Sequence, residues 1–569
     1  MSAKRKRKLL GATDGWALMG LAGAAAVAHP GLAGSNFTLT AMACGVAALS
    51  GFALGLGRYK QKLDPVDDSV FEGFVLPSDA PVDCKDEDGV LLGYTTDTQT
   101  PVRVPYNLLT RHIALVGASG VGKTTLGMFM IWQQIERGGG VTFIDAKIDG
   151  DSLAALTHMA KVTGRESDFY VLDISNPGRS HTYNPLINGD PDEVSSRLLN
   201  LIPSAENNPG ADHYRQSVNH ALTVIVGALQ AANRLYTFND LTILLQSPLA
   251  LQELLRLCPQ GPERMALDVF LDKYRKPAGK DSKEMVIDIA KMKDTLGGMA
   301  GRLALFAQGK FGEIFNTYTP EVDLFDVITQ GKILYIRLPT MAKETAAINF
   351  AKMLLSDFRS AVARVQALPT SGRPHPPHLL FADEMGSYAM PGVSRLFEQA
   401  RSAGISVMPG FQAFGQLREV SPEFADVILQ NTWSKVLFRF GGADSAETAA
   451  EIIGKHKKML YTLSQTANRS ASSPFIHATP QLSQGEGDGL GESWRENEEY
   501  RVSPAKLSAL AIGECVVTIG PRVYHLKVPY LNLPGAQDVE FIPLRHVRTV
   551  PQGWTGHDLG SRYTDFMSG

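Results

Sequence analysis

The residues best suited to chemistry lie in the segment GASGVGKTT, which runs from Gly117 to Thr125. Gly117, Gly122, Lys123 and Thr124 match the pattern G-x-x-x-x-G-K-[ST]. Glycines let such a loop turn its backbone N–H groups toward phosphate oxygens, and the start of the following helix adds partial positive charge. The lysine reaches the β- and γ-phosphates, and the hydroxyl ligates Mg²⁺. The segment therefore predicts a nucleoside triphosphate site.

The flanking sequence supplies the elements that this loop requires. His112 to Val116 is a short apolar run typical of a buried strand, and the helical stretch after Lys123 ends at Gly138. A second strand follows and ends at Asp145, which completes a βαβ unit. The residues expected to contact the nucleotide are Gly117, Ala118, Ser119, Gly120, Val121, Gly122, Lys123, Thr124 and Thr125.

An acidic pair stands at the end of a strand far downstream. In PHPPHLLFADE, residues 378–382 form the predicted strand, and Asp383 and Glu384 follow it. One carboxylate at this place holds Mg²⁺ and a second polarises the attacking water, so we assign Asp383 to the metal and Glu384 to the water. A capping acidic pair on a surface turn is the alternative. We expect the triphosphate to bind between Lys123 and Asp383 of adjacent protomers.

Composition excludes several classes of protein. Of the 569 residues, 44% are hydrophobic and 20% charged, which excludes a wholly disordered chain. The net charge is −3, although Lys and Arg fill residues 4–8, so a nucleic-acid partner would have to bind a local surface. The cysteines are scattered without a C-x-x-C pair, which disfavours a zinc site or a disulfide framework. They are Cys44, Cys84, Cys258 and Cys515.

The N-terminal region has the composition of a membrane segment. Residues 15–57 contain no Asp, Glu, Lys or Arg, and one bilayer crossing needs about 20 residues. A Pro- and Gly-containing interruption predicts two short transmembrane helices, near 15–33 and 37–57. Basic residues flank the pair, so both termini are expected in the cytoplasm. A signal peptide is the alternative reading.

The order of the remaining patterns predicts an α/β fold with a mainly parallel sheet and an all-α insertion domain after the second core strand. The last stretches include a polar, mobile segment and the final core strands. The expected divisions are 1–57 (basic tail and transmembrane hairpin), 58–108 (membrane-to-core connection), 109–190 (first half of the nucleotide-binding domain), 191–302 (all-α insertion), 303–462 (second half of the nucleotide-binding domain), 463–500 (mobile segment) and 501–569 (last core strands and tail).

Several stretches resemble the type IV secretion coupling proteins, the TraD/TraG-type ATPases of conjugation machines, including the branch related to the Dot/Icm coupling protein. The resemblance runs from about residue 105 to 455, and its most specific stretches are LLFADEMG and QARSAGISVMPGFQ. The other stretches are RHIALVGASGVGKTT, FIDAKID, YNPL, FGEIFNTYTPEVDLFDVITQGKILYIRLP and NTWSKVLFRF. We expect the protein to differ from some members in having no long acidic C-terminal extension of the sort that they use to recruit cargo.

The resemblance implies a RecA-like P-loop core that uses ATP and Mg²⁺. It also implies three roles at matching positions. Gln412 would sense the γ-phosphate or the water, and Arg401 would enter the neighbouring subunit's nucleotide site as an arginine finger. Arg111 is a second candidate at that interface. The alternatives are a core-edge amide for Gln412 and a solvated arginine near a helix C-terminus for Arg401.

Taken together, these features predict a homo-hexameric ATPase in the bacterial inner membrane, with two transmembrane helices. It would couple hydrolysis to the transfer of DNA, expected to be single-stranded, with its attached relaxase. Its further partners would be the type IV secretion channel and its ATPases. The alternatives are a coupling ATPase for protein effectors, an FtsK/HerA-like DNA pump, and a nucleotide-gated scaffold that barely hydrolyses ATP.

Overall fold

The central strands of the protein are buried along their whole length, which is typical of parallel strands covered on both faces. A computed structural model describes residues 78–202, 209–278, 285–341, 344–469 and 486–567. In it, all residues of the strands that begin at Ile113, Val141, Phe169, His378 and Ile405 are buried. These strands form the middle of one large sheet, with helices packed against it.

The strands of the described residues are β1 (Gly89–Thr95), β2 (Pro101–Pro105), β3 (Ile113–Val116), β4 (Val141–Asp145), β5 (Phe169–Asp173), β6 (Arg234–Leu235), β7 (Arg275–Pro277), β8 (Met285–Ile287), β9 (Ile333–Arg337), β10 (His378–Ala382), β11 (Ile405–Phe411), β12 (Ser434–Leu437), β13 (Lys455–Arg469), β14 (Glu486–Tyr500), β15 (Glu514–Ile519), β16 (Arg522–Lys527) and β17 (Thr555–Gly556).

The α-helices of the same residues are α1 (Tyr106–Leu109), α2 (Lys123–Glu136), α3 (Gly150–Val162), α4 (Pro191–Leu199), α5 (Pro209–Ala231), α6 (Phe238–Leu244), α7 (Pro248–Leu257), α8 (Pro262–Asp272), α9 (Ile289–Ala307), α10 (Gly309–Phe315), α11 (Leu324–Thr329), α12 (Glu344–Gln366), α13 (Ser394–Gln399), α14 (Gly415–Val420), α15 (Pro422–Asn431), α16 (Ala443–Ile453), α17 (Pro504–Ser508) and α18 (Tyr563–Met567).

The large sheet has the strand order β2-β1-β16-β15-β12-β3-β11-β10-β4-β9-β5. The seven strands from β12 to β5 pair in parallel, which confirms the predicted α/β fold with a mainly parallel core. The other four strands add an antiparallel extension on the β12 side. The stretch 58–108, predicted as the membrane-to-core connection, thus contributes β1 and β2 to the sheet itself.

The insertion follows the third parallel strand rather than the second. The sequence analysis missed β5, whose apolar run FYVLD is fully buried at the end of the sheet. Between residues 191 and 302 the described chain is mainly helical, with α4 to α8 and most of α9. It is not purely helical, since β7 and β8 form a small hairpin and β6 pairs with β17 near the C-terminus.

The described residues of the stretch 463–500, predicted to be a mobile segment, form parts of two β-strands. β13 and β14 pair in antiparallel fashion from Lys455↔Tyr500 to Arg469↔Glu486. The two strands pair through backbone hydrogen bonds along their facing edges, which a composition rich in Ser, Gly and Glu did not indicate. Residues 463–469 and 486–500 of the predicted segment thus belong to this two-stranded ribbon, and 470–485 lie outside the described residues.

The predicted inner-membrane location requires correction. Among the residues that the structure describes, no helix combines the length and the apolar character needed to cross a bilayer. The two predicted spans, 15–33 and 37–57, lie outside the described residues.

A buried ion pair joins the insertion to the core. Arg197 on α4 places a guanidinium nitrogen 2.9 Å from Asp357 on α12, and both side chains are almost fully buried. The hydroxyl of Tyr183 donates a second hydrogen bond to Asp357, at 2.5 Å. Because a buried charge is stable only with its partner, α4 and α12 are held in one relative position.

Removing the carboxylate of this pair should destabilise the protein strongly. Breaking a buried pair costs about 3–5 kcal/mol, because the remaining charge has no compensation. We expect Asp357→Ala to lower the midpoint of thermal unfolding, measured by circular dichroism, whereas Glu447→Ala, at an exposed site on α16, should not. An unchanged midpoint for Asp357→Ala would contradict a stabilising role of the pair.

Candidate nucleotide-binding site

Four neighbouring strands of the sheet end at the same edge and carry the predicted site residues. In the order β3-β11-β10-β4 they are parallel, so their carboxyl ends lie side by side. The P-loop follows β3, Gln412 follows β11, and Asp383 and Glu384 follow β10. We call this edge the carboxyl edge and the opposite one the amino edge. Parallel pairing brings together residues that are far apart in the sequence.

The P-loop has the backbone that its glycines predict. Gly117, Gly120 and Gly122 have φ values of 157°, 74° and 115°, which side-chain-bearing residues rarely adopt. At Gly117 a Cβ atom would also lie 2.6 Å from the Cβ atom of Phe438. Two neighbouring loops fix the P-loop, since the Ala118 N–H donates to the Arg439 carbonyl and the Val121 carbonyl accepts from the Gly513 N–H.

The other loop residues differ in their exposure. Ser119 and Gly120 are exposed at the tip, and Val121 is buried beneath it. Ala118 and Thr125 are half-buried on either side. The backbone at the tip of the loop is thus accessible to a ligand, while the side chain of Val121 beneath the tip is buried.

Lys123 is buried at the start of α2 and held over the loop. Its Nζ atom donates to the carbonyls of Gly117 at 2.6 Å and Ala118 at 2.8 Å. Burial lowers the pKa of this ammonium, although the negative charge of Glu384 acts in the opposite direction. A cation kept at the mouth of a phosphate-binding loop fits the predicted contact with the β- and γ-phosphates.

Thr124 and Asp383 meet across 259 residues of sequence. The Thr124 hydroxyl donates to Asp383 Oδ2 at 2.9 Å within one chain. This corrects the expectation that the nucleotide binds between Lys123 and Asp383 of adjacent protomers. A hydroxyl beside a carboxylate is a set of hard oxygen donors, and such donors with phosphate oxygens suit Mg²⁺. The residues present therefore fit the implied metal.

Asp383 is deeply buried, and its hydrogen bonds and close neighbours restrict the orientation of its carboxylate. Burial raises the pKa of this carboxyl group, against the lowering effects of Lys147 and of the Thr124 hydrogen bond. Its Oδ1 atom accepts from the Glu384 N–H at 3.0 Å. A Cβ atom at Gly410 would lie 3.0 Å from the same oxygen, so glycine on β11 gives the carboxylate its space.

Glu384 and Gln412 form a direct contact that the sequence did not show. The amide nitrogen of Gln412 lies 2.9 Å from both carboxylate oxygens of Glu384. Glu384 has a left-handed backbone, with φ of 51°, which is uncommon for this residue type. Gln412 is itself anchored, because its N–H donates to Gln416 Oε1 at 2.8 Å. The predicted water-polarising group is thus held from the neighbouring strand.

Sequence reasoning missed Lys147, which also contacts this carboxylate. Its Nζ atom lies 2.6 Å from Glu384 Oε1 and 3.9 Å from Asp383 Oδ2. Burial opposes ionisation of Glu384, but the hydrogen bonds from Lys147 and Gln412 outweigh it and lower its pKa. The available signal was the position of Lys147, two residues after the end of β4 in FIDAKID.

Neither predicted arginine lies at the site of its own chain. Arg401 precedes β11 and Arg111 precedes β3, so both lie at the amino edge. The seven residues of β11 separate this edge from the site by roughly 20 Å. Arg401 is exposed, whereas Arg111 is half-buried with its guanidinium 5.0 Å from the centre of the Trp433 ring.

Comparison with known proteins finds relatives of this chain among coupling proteins. The family model described as the TraM recognition site of TraD and TraG matches residues 377–498, which include Asp383, Glu384 and Gln412. The chain is also 22% identical over 378 residues to the type 4 coupling protein DotL of Legionella pneumophila. The resemblance to type IV coupling proteins is thereby confirmed. The DotL match covers 59% of this chain and 48% of DotL, so the chain spans about half the length of that coupling protein.

Solved structures show the same fold. The unbound monoclinic form of the bacterial conjugative coupling protein TrwB matches with a TM-score of 0.52 and 15% identity, over 79% of this chain and 90% of TrwB. TrwB in complex with ADP and Mg²⁺ matches with a TM-score of 0.50 and 15% identity, over 77% and 89%. A second family model, the central domain of the helicase HerA, matches residues 90–223. The chain therefore has a fold similar to that of TrwB.

The position of Lys123 predicts the effect of removing it. Lys123→Ala should abolish binding of ATP, because the loop loses the cation that faces the phosphates. Binding of a fluorescent ATP analogue to the purified chain measures this. Lys161→Ala, at an exposed lysine at the end of α3, should bind as the wild type does. Tight binding by Lys123→Ala would remove the P-loop from the site.

Proposed function

We propose that this chain is an oligomeric ATPase that couples ATP hydrolysis to the transfer of DNA, with an attached relaxase, into a type IV secretion channel. The observation that carries the proposal is the convergence of Thr124, Asp383, Glu384 and Gln412 at one edge of the sheet. Such a set contains both a metal-binding pair and an oriented carboxylate, which hydrolysis needs and mere nucleotide binding does not.

Each residue has a defined role in hydrolysis. The P-loop backbone and Lys123 bind the phosphates, and Glu384 orients a water and accepts its proton. The water oxygen forms a bond to the γ-phosphorus, while the bond from that phosphorus to the β–γ bridging oxygen breaks and its electron pair leaves with ADP. Thr124 and Asp383 would hold Mg²⁺, which when bound supplies charge neutralisation at the β- and γ-phosphates.

The two arginines support an assembly of several copies. Arg401 is exposed at the amino edge, where it cannot reach the nucleotide of its own chain but is free to enter that of a neighbour. A cation from a neighbouring subunit stabilises the negative charge that gathers on the transferred phosphoryl group. We propose a homo-hexamer with Arg401 as the finger in trans, and Arg111 as the second candidate.

DNA as the cargo is supported by the relatives. TrwB is a conjugative coupling protein, and the match to the HerA helicase central domain covers the P-loop. That second match also favours an alternative, a HerA-like DNA pump that acts without a secretion partner. Because the chain as a whole is slightly acidic, DNA would be bound by local cations, such as those that line the centre of a ring.

Hydrolysis and its dependence on DNA can be tested together with Glu384→Gln. Glutamine keeps the size of the side chain but cannot accept a proton, so turnover should fall about 100-fold or more. ATP binding should persist. The wild-type chain should release phosphate faster in the presence of single-stranded or double-stranded DNA, measured with a coupled phosphate assay.

The outcomes separate the candidates. Near-normal turnover by Glu384→Gln would remove Glu384 from the mechanism. A wild-type rate that DNA leaves unchanged, together with binding of effector proteins, would favour protein export. Relaxase-dependent stimulation would favour conjugation over a pump without a secretion partner.

The finger in trans predicts complementation between two inactive variants. Arg401→Ala should lose activity, since an arginine finger contributes about 10³–10⁵ in rate. Mixing it with Lys123→Ala should restore some of the activity, because some interfaces then combine an intact P-loop with an intact arginine. Arg256→Ala, at an exposed arginine of α7, is the matched control and should remain active. Absence of rescue would count against the trans role.

A further inference from the structure

Lys147 forms a bridge between two strands of the site. It follows β4, while the carboxylates that it contacts follow β10, the neighbouring strand. The 2.6 Å contact with Glu384 Oε1 is the shorter one, and Asp383 Oδ2 is 3.9 Å away. Lys147 thus acts mainly on the residue that orients the water.

The backbone of Lys147 is fixed although its side chain is 40% exposed. The Lys147 N–H donates to Asp145 Oδ1 at 2.8 Å, and the Asp149 N–H donates to Asp145 Oδ2 at 3.1 Å. The buried Tyr335 hydroxyl from β9 donates to Asp145 Oδ2 at 2.6 Å. This turn aims the lysine at Glu384 without closing it off from solvent.

The two oxygens of Glu384 have different partners. Oε1 accepts from both Lys147 and Gln412, whereas Oε2 accepts from Gln412 alone among the described residues. Two donors from opposite neighbouring strands restrict rotation of the carboxylate, and they leave Oε2 with the greater capacity to accept another proton.

We propose that Lys147 is a positioning residue that, together with Gln412, orients Glu384 so that Oε2 receives the proton of the attacking water. The inference rests on the proposed ATP hydrolysis. In that step the water oxygen bonds to the γ-phosphorus, the bridging oxygen leaves with its electron pair on ADP, and the proton goes to Oε2. In this role Lys147 acts through Glu384 and not on the water or the phosphates, so its loss should affect the chemical step and not nucleotide binding.

A purely structural role makes a different prediction. An ion pair with a partly exposed lysine contributes little to stability, and removing the side chain leaves no buried hole. Positioning, in contrast, has a large kinetic effect, because a displacement of about 1 Å costs up to 100-fold in rate. A loss of kcat with little change in KM therefore indicates a positioning role of Lys147, and an unchanged kcat indicates a purely structural role.

The experiment compares Lys147→Met, Lys147→Arg and the wild type in the full-length chain. We expect Lys147→Met to lower kcat between about 10-fold and 100-fold, with KM for ATP and the affinity for a fluorescent, non-hydrolysable ATP analogue changed less than about threefold. Lys147→Arg should recover some of the lost kcat, because guanidinium can also donate to Oε1. The melting temperatures should agree, and Lys161→Met is the matched control.

Three results would overturn the inference. They are wild-type kcat in Lys147→Met, a loss of nucleotide affinity as large as the loss of kcat, and a kcat defect that accompanies a lowered melting temperature in both variants. Failure of the proposed function has a different signature, since the wild type itself would then hydrolyse no more ATP than Lys123→Ala, with or without DNA.

Discussion

The hydrogen bond between Thr124 and Asp383 depends on the carboxyl ends of β3 and β10 lying at the same edge of the sheet. β11 lies between them, and the register of its parallel pairing with both strands fixes the relative position of their ends. Gly410 on β11 keeps the space beside Asp383 free, where a larger residue would meet the carboxylate. Every contact of the site follows from this register, because a shift of one residue would turn these side chains to other faces.

The site also balances its charges. Lys123 and Lys147 face Asp383 and Glu384, so each buried or half-buried charge has partners of opposite sign. Burial alone would disfavour all four charges, and pairing is the condition under which a protein retains them. The exposed tip of the P-loop is where further negative charge, such as a phosphate, gains access to Lys123 and the loop N–H groups.

The insertion is bound by an ion pair to α12, the helix that precedes the strand β10 of the site. Arg197 of the insertion pairs with Asp357 on α12, and α12 precedes β10, which Asp383 and Glu384 follow directly. A contiguous set of packed elements thus runs from the insertion to the carboxylates.

The sequence by itself determined the P-loop, because residues 117–125 are contiguous and their glycines dictate the local backbone. It also located Asp383, Glu384 and Gln412 correctly at the ends of strands. Only the tertiary structure decided the pairing of Lys147 with Glu384, the antiparallel extension of the sheet and the placement of Arg401 at the opposite edge. Strand order arises from hydrogen bonds between distant segments, and a local pattern contains no information on which segments will pair.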